Sequence, residues 1–461
     1  MMDHAAIIPH SSSVGSGTNP HVVIIGGGAS GVLMAVHLLA QGDRLFRVTL
    51  IEGRNALGHG LAYSTLDPDH LLNTRAHNMS AFPDDPEHFL RWLQARPSQV
   101  PVTGQCFISR KVYGNYLADL MTPWLNGTGP QRLRIVREAA VRLQDSPRGI
   151  TVNLSGGQSI IGDIAVLATG HVLERPDPEC VLLGAWEDPG PIDPQGRVII
   201  IGSGLSMVDR VISLLRAGHR GEILAFSRRG LLPRTHAPTL PLPIGNSDIP
   251  FGAQMSVLTK WLRNLAKRVE TRGGTWRDAV DGVRPHVKAI WRGLPPAERA
   301  RFLRHAATLW DVHRHRIPPA SGAIIDQALA EGQLRLVRGS FQGVARNTDG
   351  GSTLRIRCTG TTQTTDITAA AIFDCRGLRR DTARHASPLI ASLLADGTAR
   401  IDQLNIGLDV DLSCRLIGQE GKASDRLFAI GPVSRAAFWE ITAIPDIREQ
   451  TYRLAHSIVV G

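Results

Sequence analysis

One pattern of apolar and small residues occurs twice along the chain. Val22–Ile25 is a β-branched run of the kind buried on both faces of a parallel sheet, and it enters Gly26-Gly27-Gly28-Ala29-Ser30-Gly31. Val32 to Leu39 then carries apolar residues at helical spacing. The run VIII at 198–201 does the same, entering Gly202-Ser203-Gly204-Leu205-Ser206, with Met207 at the third position. Five further apolar runs read as strands: RVTLIE ending at Glu52, DIAVLATGH from Asp163, GEILAFSRRG from Gly221, AAAIFDCRG from Ala369 and LFAIGPV from Leu427. Strands alternating with helical text predict an α/β fold with two Rossmann-like halves.

The spacing of the glycines gives the loops a chemical meaning. Gly26, Gly28 and Gly31 occupy the Gly-x-Gly-x-x-Gly positions: the first permits a tight turn, the second lets a pyrophosphate reach backbone N–H groups, and the third lets helix pack on strand. Glu52, at the end of the next strand, is placed to accept hydrogen bonds from a ribose. In the second loop Gly202 and Gly204 take the first two positions and Ser206 lies in the first helical turn. The following strand ends in Ser227-Arg228-Arg229, where guanidinium groups favour a 2′-phosphate that an acid would repel. The expected cofactors are FAD in the first loop and NADPH in the second.

Composition narrows the class. A length of 461 residues predicts two or three domains. Hydrophobic residues make up 43%, and no apolar run approaches the roughly 18 residues needed to cross a bilayer. The opening MMDHAAIIPHSSSVGSGTNP lacks a basic n-region and a long apolar core, so residues 1–20 read as a flexible leader of a cytoplasmic protein without membrane attachment. Five cysteines, Cys106, Cys180, Cys358, Cys375 and Cys414, include no C-x-x-C pair, which fits a reducing compartment and excludes a dithiol reductase with its redox pair near the first loop. Net charge is +10, and the segment 260–316 holds 14 Lys/Arg against 5 Asp/Glu. With no basic tail and no nucleic-acid reading motif, that segment reads as a basic helical insert for anionic small molecules. Arg301, Arg304, His305 and Arg314 are its substrate-binding candidates; the alternative is a helical cap whose arginines pair with acids. His313 and His315 make an H-x-H pair without a third ligand, and no metal is expected.

Several stretches resemble known families. Asp163, Leu167, Ala168-Thr169-Gly170 and Pro176 match the D-x3-L-A-T-G-Y-x4-P fingerprint of N-hydroxylating flavin monooxygenases, with His171 in place of Tyr. GHGLAYSTLDPDHLLNTRAHNMSAFPDDPEHFLRWL, SRRGLLPRTHAP, RFLRHAATLWDVHRHRIPP and FWEITAIPDIR resemble a broad bacterial family of FAD/NAD(P)-binding proteins, some similar to nitrosuccinate-forming aspartate N-monooxygenases. The resemblance implies a split FAD domain (21–189 and 369–461) with an NADPH domain inserted at 190–368, including a helical basic insert at 250–320. It also implies flavin contacts from Asn73, Met79, Ser80, Gly170 and Gly431, and a pyrophosphate contact from Arg110. The implied activity is an NADPH-using monooxygenase that forms a C4a-hydroperoxyflavin and oxygenates a small, anionic amine or amino acid. An NADPH:acceptor reductase and a non-catalytic FAD-binding protein are the alternatives. The expected partners are the substrate and O2, with a homo-oligomer possible and no nucleic acid.

Overall fold

The computed structural model describes residues 19–42, 45–54, 56–97, 101–126, 131–170, 181–347, 351–377 and 385–458. His171, Pro176 and Cys180, and the leader up to residue 18, lie outside them. The chain divides into two compact units, one of residues 1–66, 74–173 and 380–461, the other of residues 67–73 and 174–379.

In the first unit, β1 (His21–Ile25) leads through the glycine loop into α1 (Ala29–Leu39), and β2 (Arg47–Ile51) returns parallel to β1, Ile25 opposite Ile51. On the other side of β1 lies β3 (Ile164–Leu167), also parallel. Among the described residues the sheet runs Arg415–Ile417, Ala423–Ala429, β3, β1, β2, Leu133–Val136. The residues of β1 and β3 are buried throughout, as their unbroken apolar runs require. A small antiparallel sheet, Ala140–Ser146, Gly149–Leu154 and Ser159–Gly162, completes this unit.

The second unit repeats the device. Here β4 (Val198–Ile201) passes through Gly202-Ser203-Gly204 into α2 (Leu205–Arg216), and β5 (Ile223–Ser227) lies parallel to β4, Phe226 opposite Ile201. The basic text forms a run of helices, Met255–Glu270 followed by the shorter Trp276–Val283, Val287–Gly293, α3 (Pro296–His305) and α4 (Ala307–Arg314). The long β6 (Leu334–Arg346) first pairs parallel with β5 and then turns its outer half to β7 (Ser352–Cys358), antiparallel.

The domain boundaries differ from those expected. β8 (Ala371–Asp374) pairs parallel with β4, Ala371 opposite Val198 and Asp374 opposite Ile201. AAAIFDCRG therefore belongs to the second sheet, and the unit ends near residue 379 instead of 368. The earlier boundary falls near 173 instead of 189, because Leu183–Gly184 pairs with β8. Short apolar strands carry no label for the sheet they join; only long-range pairing decides it. The segment 67–73 is likewise fastened to α2 of the second unit: the Ser213 hydroxyl donates to Asp67 Oδ2 at 2.5 Å, and His70 Nε2 lies 2.8 Å from Ser213 Oγ.

The first unit also buries a histidine on α1. His37 is 3% exposed, with Nε2 3.1 Å from the Ala81 carbonyl and Nδ1 3.0 Å from the Thr451 hydroxyl on the C-terminal helix Ile444–Ser457. In the neutral ring Nε2–H donates to Ala81 and Nδ1 accepts from Thr451. Burial lowers its pKa from the ordinary 6.5 to about 4. The unfolded chain therefore binds the proton more readily than the folded one between those values. Stability should be full above pH 6.5 and fall by about 3 kcal/mol as pH drops through 6.5 toward 4. Denaturant titrations across that range on wild type and His37→Gln should show the slope flattening in the variant; an unchanged slope would assign the acid sensitivity elsewhere.

Candidate functional site: two dinucleotide loops

The first loop is built on contacts that exclude any side chain. Gly26 has φ +111°, and a Cβ there would stand 2.3 Å from the Ala168 carbonyl oxygen at the end of β3. A Cβ on Gly31 would fall 1.8 Å from the carbonyl oxygen of Gly26, so the third glycine is what lets α1 close onto the turn. Gly28 is the N-cap of α1 and has the Cα of Gly60 at 3.3 Å from its would-be Cβ. The loop 57–63 thus lies over the glycine turn, tied to it by Gly58 N–H donating to the Gly27 carbonyl at 2.8 Å.

Glu52 sits at the sheet edge beside this turn. Its Oε2 accepts the Gly27 N–H at 2.8 Å and its Oε1 the Arg54 N–H at 2.9 Å. Those bonds orient the carboxylate and leave it lone pairs for a ribose diol. Gly431, φ +67°, closes against α1: its would-be Cβ lies 2.2 Å from Ser30 Oγ, and its N–H donates to Gln450 Oε1 at 2.7 Å. Gly170, φ +72°, follows β3 on the same edge with no atom within 4 Å of its would-be Cβ.

The remaining candidates near the flavin make local contacts. Met79 is buried behind the short helix Ala76–Asn78. The Ser80 hydroxyl donates within its own turn to the Asp85 carbonyl at 2.5 Å and accepts the Phe82 N–H at 3.1 Å. Arg110 begins the helix Arg110–Asp119 and acts on Tyr63 through its charge. Asn73 falls in the second unit, its carbonyl accepting from His236 Nε2 at 3.0 Å.

The second loop copies the first closely. Gly202 has φ +113°, and its would-be Cβ lies 2.4 Å from the Cys375 carbonyl oxygen just beyond β8. Cys375 therefore stands to Gly202 as Ala168 stands to Gly26. Gly204, the N-cap of α2, has no atom within 4 Å of a would-be Cβ, and Ser206 is half-buried in the first turn. Met207, in the third position, is fully buried in the core with Val198, Ile200 and Phe373.

The two arginines after β5 part company. Arg229 donates to the carbonyls of His305 and Arg304, both at 2.7 Å, at the C-terminal end of α3. Those bonds tie its guanidinium to the end of a helix. Arg228 is exposed at the end of β5. Ser203, missed in the sequence, holds this corner together: its hydroxyl lies 2.8 Å from Ser227 Oγ and 2.7 Å from the Leu231 carbonyl.

The substrate-binding candidates of the basic insert lie on two successive helices, α3 and α4. Arg301 is exposed on α3 and pairs with Glu298 at 3.1 Å. Arg304 and His305 are exposed at the end of α3, and Arg314 is buried at the end of α4, 7% exposed. The tightest cationic group is Arg316, 3% exposed and bidentate to Asp281 at 2.9 Å for both bonds, with Trp276 5.2 Å beneath it. His313 meets the same Trp276 edge-on at 4.7 Å, which gives one member of the H-x-H pair a packing role. Helical spacing places Trp276 and Asp281 only after the fold brings Arg316 to them, so no local signal marks the cluster.

Comparison with known proteins agrees with this construction. Residues 23–172 match the model of a family described as FAD-NAD(P)-binding. The chain carries an FAD/NAD(P)-binding domain. No curated protein matches the chain in sequence. Among solved structures, the FAD-bound cadaverine monooxygenase of Erwinia amylovora is 13% identical over 96% of this chain and 95% of its own, with a TM-score of 0.64. The ornithine hydroxylase of Pseudomonas aeruginosa is 13% identical over 96% and 99%, TM-score 0.62. The thioredoxin reductase of Lactococcus lactis is 14% identical over 96% and 99%, TM-score 0.53. At these identities the likeness is one of fold: the two-dinucleotide flavoprotein architecture.

Two substitutions separate the roles of the glycines. Gly31→Ala should cost about 1–3 kcal/mol or more through the clash with Gly26, read as a lowered Tm and lost flavin. Gly204→Ala should keep the wild-type Tm but weaken NADPH binding, because its Cβ enters only open space. Unchanged NADPH affinity in that variant would remove the second loop from nucleotide binding. Arg229→Ala should lower stability by about 1.5–3 kcal/mol without changing the NADPH/NADH preference. Paired thermal melts and cofactor titrations check this; a lost preference at unaltered Tm would return Arg229 to the phosphate.

Proposed function

We propose that this protein is an FAD-dependent, NADPH-using monooxygenase that N-hydroxylates a small, negatively charged amine or amino acid. The observation that carries the reading is the duplicated turn: Gly26 against Ala168 and Gly202 against Cys375, with the same φ and the same carbonyl contact. Two such turns are suited to two dinucleotides. The match of residues 23–172 to an FAD-NAD(P)-binding family supports FAD on the first turn. There Gly26, Gly28, Ser30 and Gly31 would receive the pyrophosphate and Glu52 the ribose, with Gly170, Gly431 and Met79 near the flavin. Gly202, Gly204, Ser206 and Arg228 would hold NADPH.

When bound, the flavin supplies hydride acceptance from NADPH and the activation of O2. The chain's own residues hold the nucleotides at the helix N-termini and keep the sites dry. The cysteines favour oxygenation over dithiol reduction. Among the described residues all four are free, and burial pushes the Cys375 thiol far above its ordinary range, which denies it a reactive thiolate. Solved neighbours named as cadaverine monooxygenase and ornithine hydroxylase support the reaction class through their fold. An amine reacts as the neutral base, and arginines such as Arg304 and Arg314 would both attract a carboxylate and disfavour the ammonium form.

The test is a screen of amines and amino acids for stimulated NADPH oxidation, with O2 uptake, H2O2 and product mass followed together. The expected result is stimulation by an acidic compound and a product heavier by one oxygen. Its KM should rise with salt, since screening at 0.1 M already acts over about 10 Å. NADPH oxidation that delivers all its electrons to H2O2 or to a quinone, with no oxygenated amine, would make the protein a reductase. Stimulation by cationic amines alone would overturn the anionic substrate.

A further inference from the structure

We infer that Arg357, on β7, completes with Arg228 a site for the 2′-phosphate of the dinucleotide held by the second loop. The inference rests on the proposed NADPH function and names the residue that would set its cofactor specificity. With Arg229 committed to the carbonyls of α3, Arg228 is the remaining arginine of the pair at the end of β5. One guanidinium makes a weak phosphate site; the second comes from elsewhere in the chain.

A cavity of about 260 Å³ adjoins Arg228, and its other walls include Ser340, Arg357, Thr359, Gly360 and Thr361. Strand register explains how residues so distant in sequence meet there. β4, β5 and β6 are parallel, with Ile201 opposite Phe226 and Ser227 opposite Arg338. The glycine loop after β4, Arg228 after β5 and the residues after Arg338 therefore emerge on one edge of the sheet. Past that edge β6 continues to Ser340, which stands opposite Arg357 in the antiparallel pairing with β7. In such a fold the ribose is read at the end of the second strand, which is β5 here.

The charges at this edge point to an anion. Arg355 pairs with Asp366 at 2.7 Å and Arg376 with Asp374 at 2.6 Å. Arg228 and Arg357 have no acid within ion-pair distance among the described residues, and both are exposed. Two like charges on one small cavity repel each other, and a doubly charged phosphate monoester would offset that repulsion while accepting from both forks. The Ser340 and Thr359 hydroxyls add donors suited to the same group, while the Thr361 hydroxyl donates to the Cys358 and Gln363 carbonyls at 3.3 and 3.2 Å. The cavity is too small for a whole dinucleotide, which fits a subsite for one substituent.

The experiment measures binding of 2′,5′-ADP and of AMP to the flavin-loaded protein by calorimetry, for wild type, Arg228→Ala and Arg357→Ala. Wild type should bind 2′,5′-ADP the more tightly. Each variant should lose at least about tenfold in 2′,5′-ADP affinity and keep its AMP affinity and Tm. Should wild type prefer 2′,5′-ADP and Arg357→Ala retain that preference in full, this assignment of Arg357 is wrong while the NADPH function stands. A variant that weakens both ligands alike would also overturn it, since its effect would not concern the phosphate. No preference in wild type would bring down the NADPH reading, and this site with it.

Discussion

The architecture depends on one close approach made twice, that of a glycine Cα to a carbonyl oxygen of the neighbouring parallel strand. Gly26 meets Ala168 and Gly202 meets Cys375, each with φ beyond +110° and with room for no side chain. The approach turns the chain at the end of the central strand and aims the first N–H groups of the helix outward. A helix N-terminus so presented attracts anions through its unpaired N–H groups and its dipole. The sheets extend outward from these turns. β2 and β5 return beside the central strands, and the ends of β3 and β8 supply the carbonyls. Each nucleotide edge is thus set by a strand entering the sheet from far along the chain.

The basic insert obeys a different constraint. A run of short helices ends its backbone hydrogen bonding often, and each end leaves carbonyls that need donors. Arginines supply them. Arg299 donates to the Leu294 and Arg292 carbonyls at 2.9 and 3.0 Å, Arg316 to the His313 carbonyl at 2.9 Å, and Arg229 to the end of α3. Within the 260–316 window, Arg299 and Arg316 are thereby committed to cohesion. Arg228 and Arg357 lie outside that window, and both are exposed.

Legibility in the sequence followed the range of the interaction concerned. Both glycine loops and Glu52 could be read directly, because a tight turn and a strand-end acid are local demands on residue type. The contact of Gly431 with Ser30 joins two residues that were each legible, but their meeting depends on a strand some 400 positions along the chain. The placement of AAAIFDCRG was illegible for the same reason: its resemblance to DIAVLATGH was real, and it recurs as the matching strand of the other sheet. Arg228 and Arg229 are adjacent and alike in sequence, yet the backbone sends one to solvent and the other to a helix end. Arg357 carries no mark at all, since it reaches the edge through the pairing of β6 with β7.

The difference between the third positions bears on how the two loops would be used. Gly31 lies so near the Gly26 carbonyl that α1 can only sit tight on its turn. In α2 the corresponding residue is Met207, whose side chain fills the core beside Val198 and Phe373. That exchange places side-chain bulk at the helix–strand contact which the third glycine otherwise leaves open. Under the proposed function the distinction has a use. A resident flavin gains from a rigid, closely packed cradle, whereas a nucleotide that must leave after each hydride transfer gains from one that grips less through its backbone and more through its 2′-phosphate. Specificity for the visiting cofactor would then sit at the end of β5, away from the turn, where charge can discriminate without holding the product.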